Sequence, residues 1–319
     1  SQTWVIMGGG ENITLCDNLT ITNAGISPIA MFSNTNGPVV TILGDFTHNL
    51  GILGLTNTFS GTSTSQTLHI NGNLTSNAGT LKLFHSSGGN AGGINVNLKG
   101  DLSIASGVTV SNDGIPANCS FNLNGTELQT LNIAPNITGW RFFVKENASV
   151  QLAGNDMKLN GNSTITVETG ATFDFGFNGT TALKVNQIGG TGNSFTTQQA
   201  STLIITSPNG ISGVTGGLGN VEGIPTANRI FNQLATFHYK GKENQITGNG
   251  LTNASNGKIL IVELYNNDIS LTLTNGTGIT NNTTLSPDGG RLEIKKGILV
   301  SDATAPISST GKLIMSDGT

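Results

Sequence analysis

The sequence predicts an all-β protein: a right-handed parallel β-helix (solenoid) with coils of about 25–30 residues. Three observations predict it. A glycine-anchored segment recurs at one constant interval, as Gly44-Asp45-Phe46, Gly72-Asn73-Leu74 and Gly100-Asp101-Leu102. Before each anchor, apolar and polar residues alternate: Val40, Thr41, Ile42; then Leu68, His69, Ile70; then Val96, Asn97, Leu98. Charged residues make up only 10% of the chain, and Gly, Asn, Ser and Thr fill the gap.

Alternation with a period of two marks a strand with one buried face. The interval between anchors has room for a few short strands and the corners between them, and such a unit cannot bury its own apolar face. It must therefore stack on the next copy. The crossover rule for parallel strands favours a right-handed coil. Stacking also explains the low charge, since like charges on adjacent rungs would sit about 4.8 Å apart. Asn and Thr can instead join rung to rung by hydrogen bonds.

Taken in order, residues 1–12 are expected to form an N-terminal cap, with Trp4 covering the open end of the coil stack. Gly8-Gly9-Gly10 lacks the Lys-Ser/Thr of a phosphate loop. Residues 13–319 are expected to form a single continuous β-helix. Ile13, Leu15, Leu19 and Ile21 alternate around Asp17 as a first coil. A second glycine follows each anchor at Gly51, Gly79 and Gly107, marking corners. Alternation then resumes at Leu53 and Leu55, at Leu81 and Leu83, and one residue out of step at Val108 and Val110.

From Phe121 the period loosens, although Phe121, Leu123 and Gly125 still match the anchor pattern after a shorter step. Strands are expected at 141–145, 150–152, 157–159 and 164–167. Phe173, Phe175 and Phe177 fall on one strand face and read as core filling, with an exposed sugar-stacking stripe as the alternative. The stretch near 180–223 reads as looped and irregular, with Leu203-Ile204-Ile205 its one clear strand. Such a loop region is where a binding surface is expected. Further on, Gly241-Lys242-Glu243-Asn244-Gln245 echoes Gly125-Thr126-Glu127-Leu128-Gln129. The last coils are expected at 271–273, 291–299 and 312–315.

The two cysteines, Cys16 and Cys119, lie about four coils apart, beyond the span of a disulfide. Both are expected to be free, buried and inert. A net charge of −4 without a basic patch argues against nucleic acid as a partner. No apolar run is long enough to span a membrane.

The phrasing Asn71-Gly72-Asn73-Leu74-Thr75 with Gly79-Thr80-Leu81 resembles β-helical segments of large secreted proteins of the Bacteroidetes group. So do Leu159-Asn160-Gly161-Asn162-Ser163-Thr164-Ile165 with Gly170-Ala171-Thr172, and the stretch from Gly241 to Gly248. The resemblance implies a surface adhesin or similar exported repeat protein, extracellular or at the cell surface. It also implies carriage by the type IX secretion system. Expected partners are cell-surface or secretion-machinery proteins, with carbohydrate as a further ligand class.

An enzyme of the lyase or hydrolase type on this fold would need clustered carboxylates and a basic residue. The 18 acidic residues are scattered along the chain. Asp45 and Asp101 share the position after the anchor with Asn73, and each reads as a turn residue bonded to its own backbone. His48, His69, His85 and His238 show no metal-ligand spacing, and His69 reads as an outward rung residue. No catalytic, cofactor or metal residue is assigned. The expected function is a non-enzymatic structural or adhesive segment. The alternative is a carbohydrate-binding or polysaccharide-cleaving protein, which would need a groove combining aromatic side chains with clustered Asp, Lys or Arg.

Overall fold

The computed structural model describes residues 12–15, 17–22, 29–30, 39–57, 66–85, 93–113, 116–211, 218–232, 234–248, 259–274, 279–281, 290–301, 307–309 and 312–316. The expected cap with Trp4, and Cys16, lie outside them. Among the described residues there is no α-helix, and parallel strand pairs dominate. The fold is a parallel β-helix. Its residues fall into two compact units, within Ser1–Val150 with Met157–Ile165 and Ile188–Asn193, and within Gln151–Asp156, Thr166–Gln187 and Ser194–Thr319.

The first unit has three walls, and each strand pairs with the one three places on. The first wall comprises Ile13–Leu15, Val39–Ile42, Gln66–Ile70, Ile94–Leu98, Ser120–Leu123 and Arg141–Val144. The second comprises Leu19–Thr22, Phe46–Leu50, Leu74–Ser76, Leu102–Ile104 and Leu128–Ile133. The third comprises Ile29–Ala30, Ile52–Asn57, Gly79–His85, Val108–Ser111, Asn136–Thr138 and Met157–Asn160. Ile42, Ile70, Leu98, Leu123 and Val144 are successive partners in one column. All five are fully buried. Burying each such aliphatic side chain contributes about 1.5–3 kcal/mol, and it does so only because a neighbouring coil covers it.

Corners obey the same stacking. Gly51 and Gly79 both have positive φ, at 91° and 88°. A Cβ on Gly79 would lie 2.1 Å from the carbonyl oxygen of Gly51, so two coils meet there backbone to backbone. Gly107 is not the third member of that series. Val108 takes the register of Gly79, and Val110 that of Leu81. One extra residue is absorbed in the turn where the Val108 N–H donates to the Ala105 carbonyl, at 3.1 Å. This turn is the source of the single-residue slip seen in the sequence.

Trp140 is fully buried, and its ring centroid lies 5.4 Å from that of Phe121, nearly parallel. Its indole N–H donates to the Ser111 carbonyl at 2.9 Å, which satisfies the only polar atom of the side chain.

In the second unit the long sheet comprises Thr172–Asp174, Thr202–Ile205, Thr236–Tyr239, Ile259–Glu263, Arg291–Lys296 and Lys312–Met315. Phe173, Leu203, Phe237, Leu260 and Leu292 form its inward column. Phe173, Phe175 and Phe195 pack with centroids 5.2–5.8 Å apart. The third phenylalanine expected beside them, Phe177, is not in the core. Gly176 has φ of +58°, which turns the chain so that Phe177–Asn178 pairs antiparallel with Thr181–Ala182 in an outward hairpin.

The stretch near 180–223 is less looped than its composition suggests. It contains the strands Thr181–Ala182, Val185–Gly189, Ser194–Thr197, Thr202–Ile205 and Val221–Glu222. Buried asparagines hold the coil there in place of aliphatic residues. Asn220 Oδ1 accepts from the N–H groups of Thr206 and Ser207 at 2.9 and 3.0 Å, while its amide donates to the Leu183 carbonyl at 2.7 Å.

The echo between 125–129 and 241–245 is a shared device. The Gly125 N–H donates to Gln129 Oε1 at 2.7 Å, and Gln129 Nε2 donates to the carbonyls of Leu98 and Gly100. Likewise the Gly241 N–H donates to Gln245 Oε1 at 2.8 Å, and Gln245 Nε2 donates to the carbonyls of Ile205 and Ser207. Both glutamines are 1% exposed. Each plugs a corner and satisfies three backbone groups that would otherwise be buried without partners. The strands that follow belong to different sheets of their own units, so the echo is local and is not a period of the architecture.

Candidate functional site

The column after the glycine anchor is a ladder between coils. The Asp45 N–H donates to Asn18 Oδ1 at 2.7 Å, the Asn73 N–H to Asp45 Oδ1 at 2.7 Å, and the Asp101 N–H to Asn73 Oδ1 at 2.8 Å. The Thr130 N–H closes the series on Asp101 Oδ1. This corrects the expectation that these side chains bond their own backbone. Asn18, Asp45, Asn73 and Asp101 each present an oxygen to an amide of the following coil, so these bonds run between coils. A second ladder runs along the outer face, where Asn49 Nδ2 donates to Thr22 Oγ1 at 3.3 Å and Asn77 Nδ2 to Asn49 Oδ1 at 2.8 Å. A third joins Asn122 Nδ2 to Asn97 Oδ1 at 3.0 Å.

Of the histidines, His69 sits outward between Thr41 and Asn97, half-buried, as expected. Burial and the nearby Lys99 lower its pKa. His48 is an interior residue whose Nδ1 lies 2.9 Å from Ser76 Oγ, and burial lowers its pKa too. The side chain of His85 lies outside the described residues. Cys119 is free and buried, and burial raises its thiol pKa. Among the described residues, no three His, Cys, Asp or Glu side chains converge to hold a metal ion.

Charge scattered in the sequence is gathered on the outer face of the second unit's long sheet. Asp174, Ile204, His238, Ile261 and Glu293 are partners in one outward column. Two residues further on, Glu263 pairs with Lys296 across a bulge that displaces Lys295. Glu263 Oε2 lies 2.9 Å from His238 Nε2 and 3.8 Å from both Lys240 Nζ and Lys295 Nζ. Burial drives the His238 pKa down to about 4, helped by Lys240 and Lys295 and opposed by Glu263. The imidazole is therefore neutral at pH 7, and its contact with Glu263 is not an ion pair.

Beside this cluster lies a groove of about 370 Å³, lined by Asp174, Lys240, Lys242, Glu263, Tyr265 and Lys296 among others. Asp174 is held from two sides: Gln151 Nε2 donates to Oδ2 at 2.7 Å and the Gly176 N–H to Oδ1 at 2.8 Å. Burial raises its pKa, and these two bonds and Lys240 resist the rise. The Lys242 ammonium stands 4.3 Å above the Phe177 ring and donates to the Gly179 carbonyl at 2.8 Å. Tyr265 is 66% exposed, with the Lys296 ammonium 5.9 Å from its ring. Lysines seated on aromatic rings are restrained by attraction to the ring face.

A second groove of about 510 Å³ is lined by Asp156, Thr181, Lys184, Asn209, Glu222, Lys242 and Glu243 among others. Lys184 and Glu222 form an ion pair at 2.6 Å there. Lys242 lines both grooves. Reading the sequence missed the first groove because its residues come from several coils of unequal length. The one available signal was the cluster Arg291, Glu293, Lys295 and Lys296 in an otherwise weakly charged chain. The chain matches no protein-family model, and no curated protein or solved structure is significantly similar to it.

Proposed function

We propose that the chain is a non-enzymatic structural and adhesive segment of a secreted or cell-surface protein, exported by a bacterial secretion system. The observation that carries this reading is the coil-to-coil ladder from Asn18 through Asp45, Asn73 and Asp101 to Thr130. Such a ladder stiffens a stack and uses up the polar side chains that a catalytic site would need to leave available. Export by the type IX route follows from the sequence resemblance. Blotting of culture fractions from type IX-deficient and parent strains tests it, and unchanged secretion in the deficient strain rejects that route.

A second reading has an observation of its own. The groove beside Asp174 combines aromatic rings with clustered lysines and carboxylates, which is what a carbohydrate-binding or polysaccharide-cleaving protein requires. The two readings separate on turnover. Purified chain incubated with acidic polysaccharides is expected to retain them without releasing reducing ends. Release that Asp174→Asn abolishes would replace the adhesive reading with the enzymatic one.

A further inference from the structure

We infer that the groove lined by Lys240, Lys242, Tyr265 and Lys296 binds a linear glycan bearing uronate carboxylates. The inference rests on the adhesive reading above and names its ligand class. Lys240 and Glu263 directly follow the partners Tyr239 and Val262, with Nζ and Oε2 3.8 Å apart, and Glu263 pairs with Lys296 on the next coil. Lys240 and Lys296 are thus about 10 Å apart at two strand spacings. A pyranose unit advances a glycan chain by close to one such spacing, so carboxylates on alternate sugars meet Lys240 and Lys296. Lys242 reaches the same groove from the side, fixed above Phe177. The exposed ring of Tyr265 offers a face for the C–H side of a sugar.

The carboxylates in the groove select among anions. Asp174 and Glu263 accept hydrogen bonds, which a sugar's hydroxyls supply. Both would repel a polyanion with a charge on every unit and no donors, such as polyphosphate. Among the described residues no arginine lines the groove, and the guanidinium fork is the group best matched to phosphate. A partly charged, hydroxyl-rich chain satisfies lysines and carboxylates together.

Calorimetric titration of the full chain with a tetramer in which uronate and neutral sugars alternate, and with its methyl ester, tests this, with reducing-end release followed in the same samples. The acid tetramer is expected to bind, its affinity falling as salt rises, and the ester at least tenfold more weakly. Lys242→Ala and Tyr265→Ala, both at exposed positions, are expected to weaken binding at least tenfold with unchanged thermal melting. Should Lys242→Ala melt early, Lys242→Met keeps the contact with Phe177 and removes only the charge. No binding of the acid tetramer, or equal binding of the ester, overturns the inference and leaves the adhesive reading in place. Reducing-end release overturns the adhesive reading itself.

Discussion

The backbone N–H of Asn73 donates to Oδ1 of Asp45, one coil earlier, at 2.7 Å. Asn73 in turn offers its own Oδ1 to Asp101. Asn73→Ala removes an acceptor at a solvent-exposed site and is expected to cost about 1 kcal/mol. Asn73→Asp keeps the acceptor but sets a third carboxylate between Asp45 and Asp101, about 4.8 Å from each. Denaturant titration should show Asn73→Asp destabilised at low salt and largely restored at high salt. Asn73→Ala should show no such recovery. Equal salt response in the two variants would count against the ladder.

Gly79 and Gly107 look equivalent by spacing, yet the structure separates them. A Cβ on Gly79 meets the Gly51 backbone at 2.1 Å on a backbone with φ of +88°, while one on Gly107 meets nothing within 4 Å. Gly79→Ala is expected to lose at least about 2 kcal/mol, and Gly107→Ala to stay within about 0.5 kcal/mol of the parent. Chemical denaturation of the two variants side by side checks the contrast. Similar losses would contradict the register found at Val108.

Gln129 and Gln245 should behave as twins. Replacing either with Leu keeps the volume but leaves a glycine N–H and two carbonyls without their partner. About 2–4 kcal/mol is expected from each. Gln→Glu retains the acceptor and loses the donor, placing a carboxylate against two carbonyl oxygens, so it should be worse than Leu. Melting temperatures of the four variants give the ranking, and a harmless Gln129→Leu would show that water replaces the amide.

Acid should weaken the second unit through His238. Its folded pKa is lowered from 6.5 to about 4. Between those values the unfolded chain binds the proton and the folded chain does not, so stability falls as pH drops through that window. The expected loss is on the order of 3 kcal/mol. Above pH 6.5 the group contributes no slope. His238→Gln should flatten this part of the stability profile while carboxylate titration at lower pH persists. An unchanged profile in that variant would place the acid sensitivity elsewhere.

The first unit is legible in the sequence because each coil repeats at nearly constant length. Ile42, Ile70 and Leu98 align by counting, and they do form one buried column. In the second unit the coils differ in length. Leu203 pairs with Phe237 across a long coil, and Phe237 pairs with Leu260 across a much shorter one. No fixed count aligns Asp174, Lys240, Glu263 and Lys296, so counting cannot find the groove they share. Phe177 misleads for a related reason. Alternation places it with Phe173 and Phe175, and only the left-handed turn at Gly176 sends it outward. Buried Asn220 hides a coil in the opposite way, since a polar residue in a core position reads as loop.

The anchor ladder also has a direction. Asn18 serves Asp45, Asp45 serves Asn73, Asn73 serves Asp101, and never the reverse. A finished coil therefore holds out a ready oxygen to whichever coil comes next in the chain. For a polypeptide that emerges amino end first, each ladder residue already in place carries the acceptor that the next coil's amide uses.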